Sequence, residues 1–271
     1  MRNEAPIPRP DPLPLHNRAL GNFLQAPLFF AATAFFGTLS LTASLFEKDG
    51  RLQHRIARLW ATTSMHIALS PVTLVGEENL RRHPVAVYAA NHLSYMDTPA
   101  LFSAVPFQFR ILARQSLWKI PFIGWHLNRS GQIPVDTDNP GASMGSLGAG
   151  LKALKAGMPL IVFPEGGRSQ DGQLSAFMNG PAYLAVRAKV PLVPIAIVGT
   201  YELLPMHTRH FFPQRVKVVV GEPIDTGDYS IRQVGELTER LRSEISRLYA
   251  AHAGARADAA WNPGDKEKTL V

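Results

Sequence analysis

The chain has 271 residues, 28 basic and 21 acidic side chains, a net charge of +7 and no cysteine. The missing thiol excludes a cysteine nucleophile, a cysteine-ligated zinc or iron–sulfur centre and any disulfide framework. Charged residues make up 18%, below the roughly 25% of an average soluble protein. That shortfall argues against a disordered chain and points to apolar surface beyond an ordinary core, while the positive balance suits a partner that carries phosphate.

Prolines at 6, 8, 10, 12 and 14 mark residues 1–18 as an extended, disordered lead. Residues 19–70 read as a membrane-anchoring helical segment. Within it, Phe23–Phe46 runs for 24 residues without a charge, enough to cross a bilayer core of about 30 Å. The run is too long for a signal-peptide apolar region, and no small-residue cleavage site follows it. Arg2, Arg9 and Arg18 precede it, and Lys48, Arg51, Arg55 and Arg58 follow. That small excess puts the C-terminal side, and the rest of the chain with it, on the cytoplasmic side of the cell membrane. Arg51–Leu69 reads as a second helix, with Leu52, Ile56, Leu59, Trp60 and Ile67 near one face and Arg51, Arg55 and Arg58 on another. A single span, two helices lying in one leaflet and a buried core helix all fit this segment.

After Pro71 the pattern changes. β-rich runs at Val72–Val75, Val85–Ala89, Phe109–Ala113, Leu160–Phe163, Leu192–Val198 and Val216–Val220 alternate with helical stretches at Thr98–Ala104, Ser146–Ala156 and Pro181–Lys189. Continuous apolar strands between helices indicate an α/β domain with a mostly parallel central sheet flanked by helices. An amphipathic helix over Ile231–Ala251 closes residues 71–251, and residues 252–271 read as a disordered tail.

Two loops carry the candidate chemistry. The second strand runs into Ala90-Asn91-His92-Leu93-Ser94-Tyr95-Met96-Asp97-Thr98-Pro99, at the strand end where open α/β sheets bind ligands. A turn from strand to helix can fold the Asp97 carboxylate back onto the His92 imidazole, fixing its tautomer and leaving the other ring nitrogen to take a proton. Spacing alone is weak support, since H-x4-D arises by chance roughly 0.3 times in a chain of this composition, and a purely structural pair fits it too. The strand Leu160–Phe163 ends in Pro164-Glu165-Gly166-Gly167-Arg168-Ser169. Its glycines allow close backbone approach, and a guanidinium can grip phosphate oxygens in a bidentate way. An exposed turn with an ion pair is the alternative. The aromatic stretch Ser116–Trp125, interleaved with Arg114, Lys119 and Arg129, suits a lipid interface, an acyl channel or plain core packing.

Together these residues resemble the glycerolipid acyltransferases typified by 1-acylglycerol-3-phosphate acyltransferase. Asn91, His92 and Asp97 match the family's N-H-x4-D block. Phe163, Pro164, Glu165, Gly166, Arg168 and Ser169 match F-P-E-G-x-R-S, with Gly167 where threonine is usual. Val190-Pro191-Leu192-Val193-Pro194-Ile195 is similar to a later block. The resemblance covers residues 71 to about 225, and the family's membrane-associated N-terminus matches the apolar helix. It implies transfer of an acyl group from acyl-CoA or acyl carrier protein to the hydroxyl of a lysolipid, most directly 1-acylglycerol-3-phosphate in phospholipid biosynthesis. In that reaction His92 is the base and Asp97 orients it. Asn91, Glu165, Gly166, Gly167, Arg168 and Ser169 line the acceptor site. No cofactor beyond the acyl donor and no metal is implied, and the membrane partner is an anionic lipid surface.

Two departures bear on the acceptor. Thr137 stands where the second block usually ends in arginine, and Met178 stands where lysine is usual in F-K-x-G. The acceptor therefore stays open between a phosphate-bearing and a phosphate-free lysolipid. A basic membrane-binding protein without catalysis is the reading from another class, and would bind lipid in a salt-sensitive way without consuming thioester. A serine hydrolase is disfavoured because G-x-S-x-G is absent. Nucleic acid is disfavoured because the basic residues are dispersed and match no binding module.

Overall fold

A computed structural model describes residues 21–47, 49–120, 123–136, 140–206, 208 and 210–253. The proline-rich lead, Pro121, Phe122, Thr137 and the tail beyond Ala253 lie outside the described residues. Seven strands form one sheet: β1 (Val72–Val75), β2 (Val87–Ala90), β3 (Arg110–Arg114), β4 (Ile133–Val135), β5 (Leu160–Val162), β6 (Leu192–Val198) and β7 (Val216–Val220). Their order is β1-β7-β6-β2-β5-β3-β4. The five strands from β6 to β4 run parallel; β7 lies antiparallel to β6 and parallel to β1. The expected mostly parallel α/β sheet is what the chain forms.

The helices of six residues or more are α1 (Ala26–Ala43), α2 (Arg51–Ile67), α3 (Glu77–Arg82), α4 (Asp97–Ala104), α5 (Ile123–Arg129), α6 (Pro140–Lys155), α7 (Gly180–Ala188) and α8 (Val234–Ala253). Successive strand residues point to opposite faces, so each strand feeds two cores. Tyr88, Ile161 and Ile195 pack with Ala61 and Met65 of α2 and Leu101 of α4. Val87, Leu160 and Leu192 pack with Leu184 of α7 and Leu237 and Ile245 of α8. Both faces being covered explains why β2, β5 and β6 are buried along their whole length and read as unbroken apolar runs.

The sequence pattern did not mark β4. It is a three-residue strand with Pro134 at its centre, and it survives because it lies at the sheet edge, where a missing N–H breaks no ladder. Helix α5 was likewise hidden in the aromatic stretch. Its Gly124 packs so tightly on Trp118 that a Cβ there would sit 2.2 Å from the Trp118 carbonyl oxygen.

Helix α1 lies along the domain. The Gln25 amide, at the end of a π-helical turn (Gly21–Gln25), donates to the Ile67 carbonyl at 2.9 Å. Trp60 Nε1 donates to Thr33 Oγ1 at 3.1 Å, and Ser40 Oγ pairs with His126 Nδ1 of α5 at 2.7 Å. These contacts tie the helix down along its length. Its other side is open: Phe23, Phe30, Phe35 and Leu39 are exposed, and so are Ile120, Ile123 and Trp125 on and beside α5. Residues Gly21–Ala43 are long and apolar enough to cross a membrane, and only 11% of an 18-residue apolar window within them is buried.

Candidate active site

The candidate residues converge at the carboxyl ends of β2 and β5, which are adjacent in the sheet. The chain leaves β5, passes through α7 and enters β6 on the other side of β2, so the two loops open beside a crossover.

After Ala90 the chain turns sharply and starts α4 at Asp97. Asp97 is completely buried, and one of its oxygens organises the turn. Oδ2 accepts from His92 Nδ1 at 2.8 Å, from the Leu93 amide at 2.7 Å and from the Ser94 amide at 2.8 Å. A carboxylate can only accept, so Nδ1 carries the hydrogen and Nε2 keeps its lone pair free. The opposite side of the imidazole is fixed by Phe163, whose ring stacks on it with centroids 3.9 Å apart and planes 16° from parallel. His92 is therefore held at its ring face and at one nitrogen, while Nε2 makes no hydrogen bond among the described residues.

The β5 loop is joined to this turn in both directions. The His92 amide donates to Glu165 Oε1 at 2.7 Å, and the Ser169 amide donates to the His92 carbonyl at 2.9 Å. Glu165 Oε2 accepts from the Ser175 amide at 3.0 Å. Both Glu165 oxygens thus face protein donors, and burial raises its carboxyl to about 7 from an ordinary 4.5, against the lowering effect of the two amides. Asn91 is equally inward. Its amide donates to the Ile197 carbonyl at 3.0 Å and accepts from the Ile197 amide at 2.7 Å, extending the β2–β6 pairing one step past the strand. Ser169 is buried, and its hydroxyl donates to Asp171.

Outward-facing groups are fewer. Gly166 takes the positive φ of +70° that its turn requires, and Gly167 has nothing near the place a Cβ would occupy. Arg168 lies with its Cζ 3.8 Å from the centre of the Tyr95 ring, and its Nε is buried without a hydrogen-bond partner. Sequence alone assigns no role of their own to Phe163, Tyr95, Ser94 or Ser175. Phe163 and Tyr95 were visible as aromatic residues inside the two motifs, whereas the backbone donor of Ser175 left no sequence signal. Among the described residues, no group of three His, Asp or Glu side chains is placed to hold a metal ion.

An uncommitted imidazole nitrogen beside a buried carboxylate can accept a proton from a hydroxyl that attacks a carbonyl carbon. The Acyltransferase family profile matches residues 71–198, the segment that holds both loops. A 1-acyl-sn-glycerol-3-phosphate acyltransferase of Chlamydomonas reinhardtii is 34% identical over 232 residues, covering 81% of this chain and 68% of that protein. The chain belongs to the acyltransferase family. A chloroplast member from Arabidopsis thaliana, also a 1-acyl-sn-glycerol-3-phosphate acyltransferase, is 32% identical over 176 residues. That match covers 64% of this chain and 49% of the relative, so the chain spans about half of that acyltransferase's length. In crystal structure, the 1-acyl-sn-glycerophosphate acyltransferase of Thermotoga maritima superposes with a TM-score of 0.70 at 27% identity, covering 83% of this chain and 93% of that one.

The raised Glu165 carboxyl makes a signed prediction. Between pH 4.5 and about 7 the folded acyltransferase keeps a proton that the unfolded chain has lost. The stability this contributes is complete below 4.5 and disappears as pH rises through about 7. Burial holds His54 down to about 4 and also lowers His126, and these two act in the opposite direction. Comparison with Glu165→Gln isolates the carboxyl. Urea midpoints measured across this range are expected to move in favour of the variant as pH rises, and a pH-independent difference would contradict the assignment.

Proposed function

We propose that the protein is an O-acyltransferase that moves a fatty acyl group from a thioester, acyl-CoA or acyl carrier protein, to the free hydroxyl of 1-acylglycerol-3-phosphate. The observation that carries this reading is the His92–Asp97 pair in the turn that follows β2, beside the β5 loop, with no hydrogen bond to the imidazole's second nitrogen among the described residues. The acceptor hydroxyl gives its proton to His92 Nε2 as its oxygen attacks the thioester carbonyl. Asp97 stabilises the imidazolium that forms. Collapse of the tetrahedral intermediate expels the thiolate, which takes the proton back from His92. No acyl-enzyme is required. The chain has no cysteine, and the hydroxyls of Ser94 and Ser169 donate to Leu204 and Asp171, not to the histidine. Arg168 is the cation for the acceptor's phosphate. Glu165, Asn91 and Ser169 hold the two loops in register around it. Relatives named for 1-acyl-sn-glycerol-3-phosphate support that acceptor.

The same reading places the enzyme on a membrane surface at the cytoplasmic side, with α1 lying in the interface plane. A helix fastened to Ile67 near one end and to His126 near the other cannot cross the bilayer without losing one of those bonds. Its open face, joined by Ile120, Ile123 and Trp125, offers a continuous apolar surface. Arg51 and Arg55 are exposed on α2, the helix bonded to α1, and would meet anionic headgroups.

Two measurements test these statements. With purified enzyme, acyl-CoA and lysophosphatidate, His92→Ala should abolish turnover, and Asp97→Asn should lower kcat on the order of 10²- to 10⁴-fold. Product mass identifies the acceptor, and substantial turnover by His92→Ala would defeat the assigned base. In flotation with vesicles containing phosphatidylglycerol, the double variant Phe30→Glu/Phe35→Glu should lose most of its binding. Its turnover in detergent should stay within about threefold of the parent. Undiminished flotation would refute the in-plane placement.

A further inference from the structure

Arg168 is held in an unusual way for a buried-edge arginine. Its one described contact of a polar or ring type is the face of Tyr95, at 3.8 Å. The neighbouring carboxylates are engaged elsewhere: Glu165 with the His92 and Ser175 amides, and Asp171 with the Ser169 hydroxyl and the Gln173 amide. An ion pair would cancel the charge that an incoming phosphate needs, and would have to be broken on binding. An aromatic face orients the guanidinium without cancelling its charge or engaging its terminal N–H groups.

Tyr95 is built as a rigid platform. The amides on its N-terminal side, of Leu93 and Ser94, both donate to Asp97 Oδ2. On its C-terminal side the Met96 amide donates to Ser94 Oγ at 3.2 Å, and that hydroxyl donates to the Leu204 carbonyl at 2.9 Å. Leu93, Ser94 and Met96 are buried, whereas Tyr95 is 54% exposed, so the pinned turn projects the ring outward. The same carboxylate that fixes the His92 tautomer therefore fixes the surface on which Arg168 rests.

We propose that Tyr95 is a positioning residue for acceptor recognition: its ring face holds the Arg168 guanidinium beside the His92 loop, aimed at the phosphate of the acceptor. This rests on the phosphate-bearing acceptor proposed above. It has particular weight in this chain, which carries Thr137 and Met178 instead of further basic residues.

The test uses detergent-solubilised full-length enzyme in four forms: wild type, Tyr95→Leu, Tyr95→Phe and Arg168→Ala. Glycerol 3-phosphate is titrated into each by calorimetry, a readout that needs no turnover. Tyr95→Leu should bind about tenfold more weakly than wild type, Tyr95→Phe within about twofold of it, and Arg168→Ala most weakly. In kinetics, Tyr95→Leu should raise KM for lysophosphatidate about tenfold while kcat moves less than about threefold. Its preference for lysophosphatidate over monoacylglycerol should fall in step. Tyr95→Gln repeats the comparison with a polar side chain at this half-exposed position. Unchanged binding in Tyr95→Leu, a loss in Tyr95→Phe as large as in Tyr95→Leu, or equal loss on both acceptors would overturn the proposal. Wild-type enzyme that fails to acylate lysophosphatidate would overturn the functional reading instead, and the binding series would still decide the role of Tyr95.

Discussion

Three N–H groups meet on one buried oxygen, Asp97 Oδ2, and the geometry of the site follows from that convergence. The bond from His92 Nδ1 selects the tautomer. The bonds from the Leu93 and Ser94 amides close the turn that carries the chain from β2 into α4. Losing the carboxylate would leave two buried amides without partners and the imidazole free to rotate, so the setting of the imidazole and local folding share a single acceptor. The Phe163 ring then restricts the remaining freedom of the imidazole.

The second loop is placed relative to the first by backbone bonds. His92 gives its amide hydrogen to Glu165 and takes one from Ser169. Arg168, one residue before Ser169, is thereby delivered to the Tyr95 ring. Because the two loops grow from neighbouring parallel strands, the sheet sets their separation and these bonds set their register. On the outside of the domain, α2 packs apolar side chains into the core on one face of the sheet, and α1, bonded to α2, turns its own outward. The same helical pair therefore completes the core and presents the surface that suits a bilayer.

Much of this was legible in the sequence. Six strands announced themselves as apolar runs because both faces of the sheet are covered. His92 and Asp97 were recognisable by residue type at a strand end. Directions were not legible. Asn91, Glu165 and Ser169 belong to the motifs, yet their side chains turn toward Ile197, the His92 and Ser175 amides, and Asp171. A motif specifies which residues occupy a loop, while the partners 73 or 106 positions away exist only once the sheet has formed. β4 was invisible because an edge strand interrupted by Pro134 has no run to detect. The apolar N-terminal run likewise did not distinguish spanning from lying flat, because that depends on anchors such as Ile67 and His126 that its own composition does not reveal.

The central claim is that Asp97 holds His92 as the Nδ1–H tautomer with Nε2 free to receive the acceptor's proton. Nitrogen-15 NMR of enzyme labelled in its histidine side chains, with His92→Gln for assignment, measures this directly. At a pH where His92 is neutral, Nδ1 is expected to be pyrrole-like and Nε2 pyridine-like. The opposite pattern, with the hydrogen on Nε2, would contradict it.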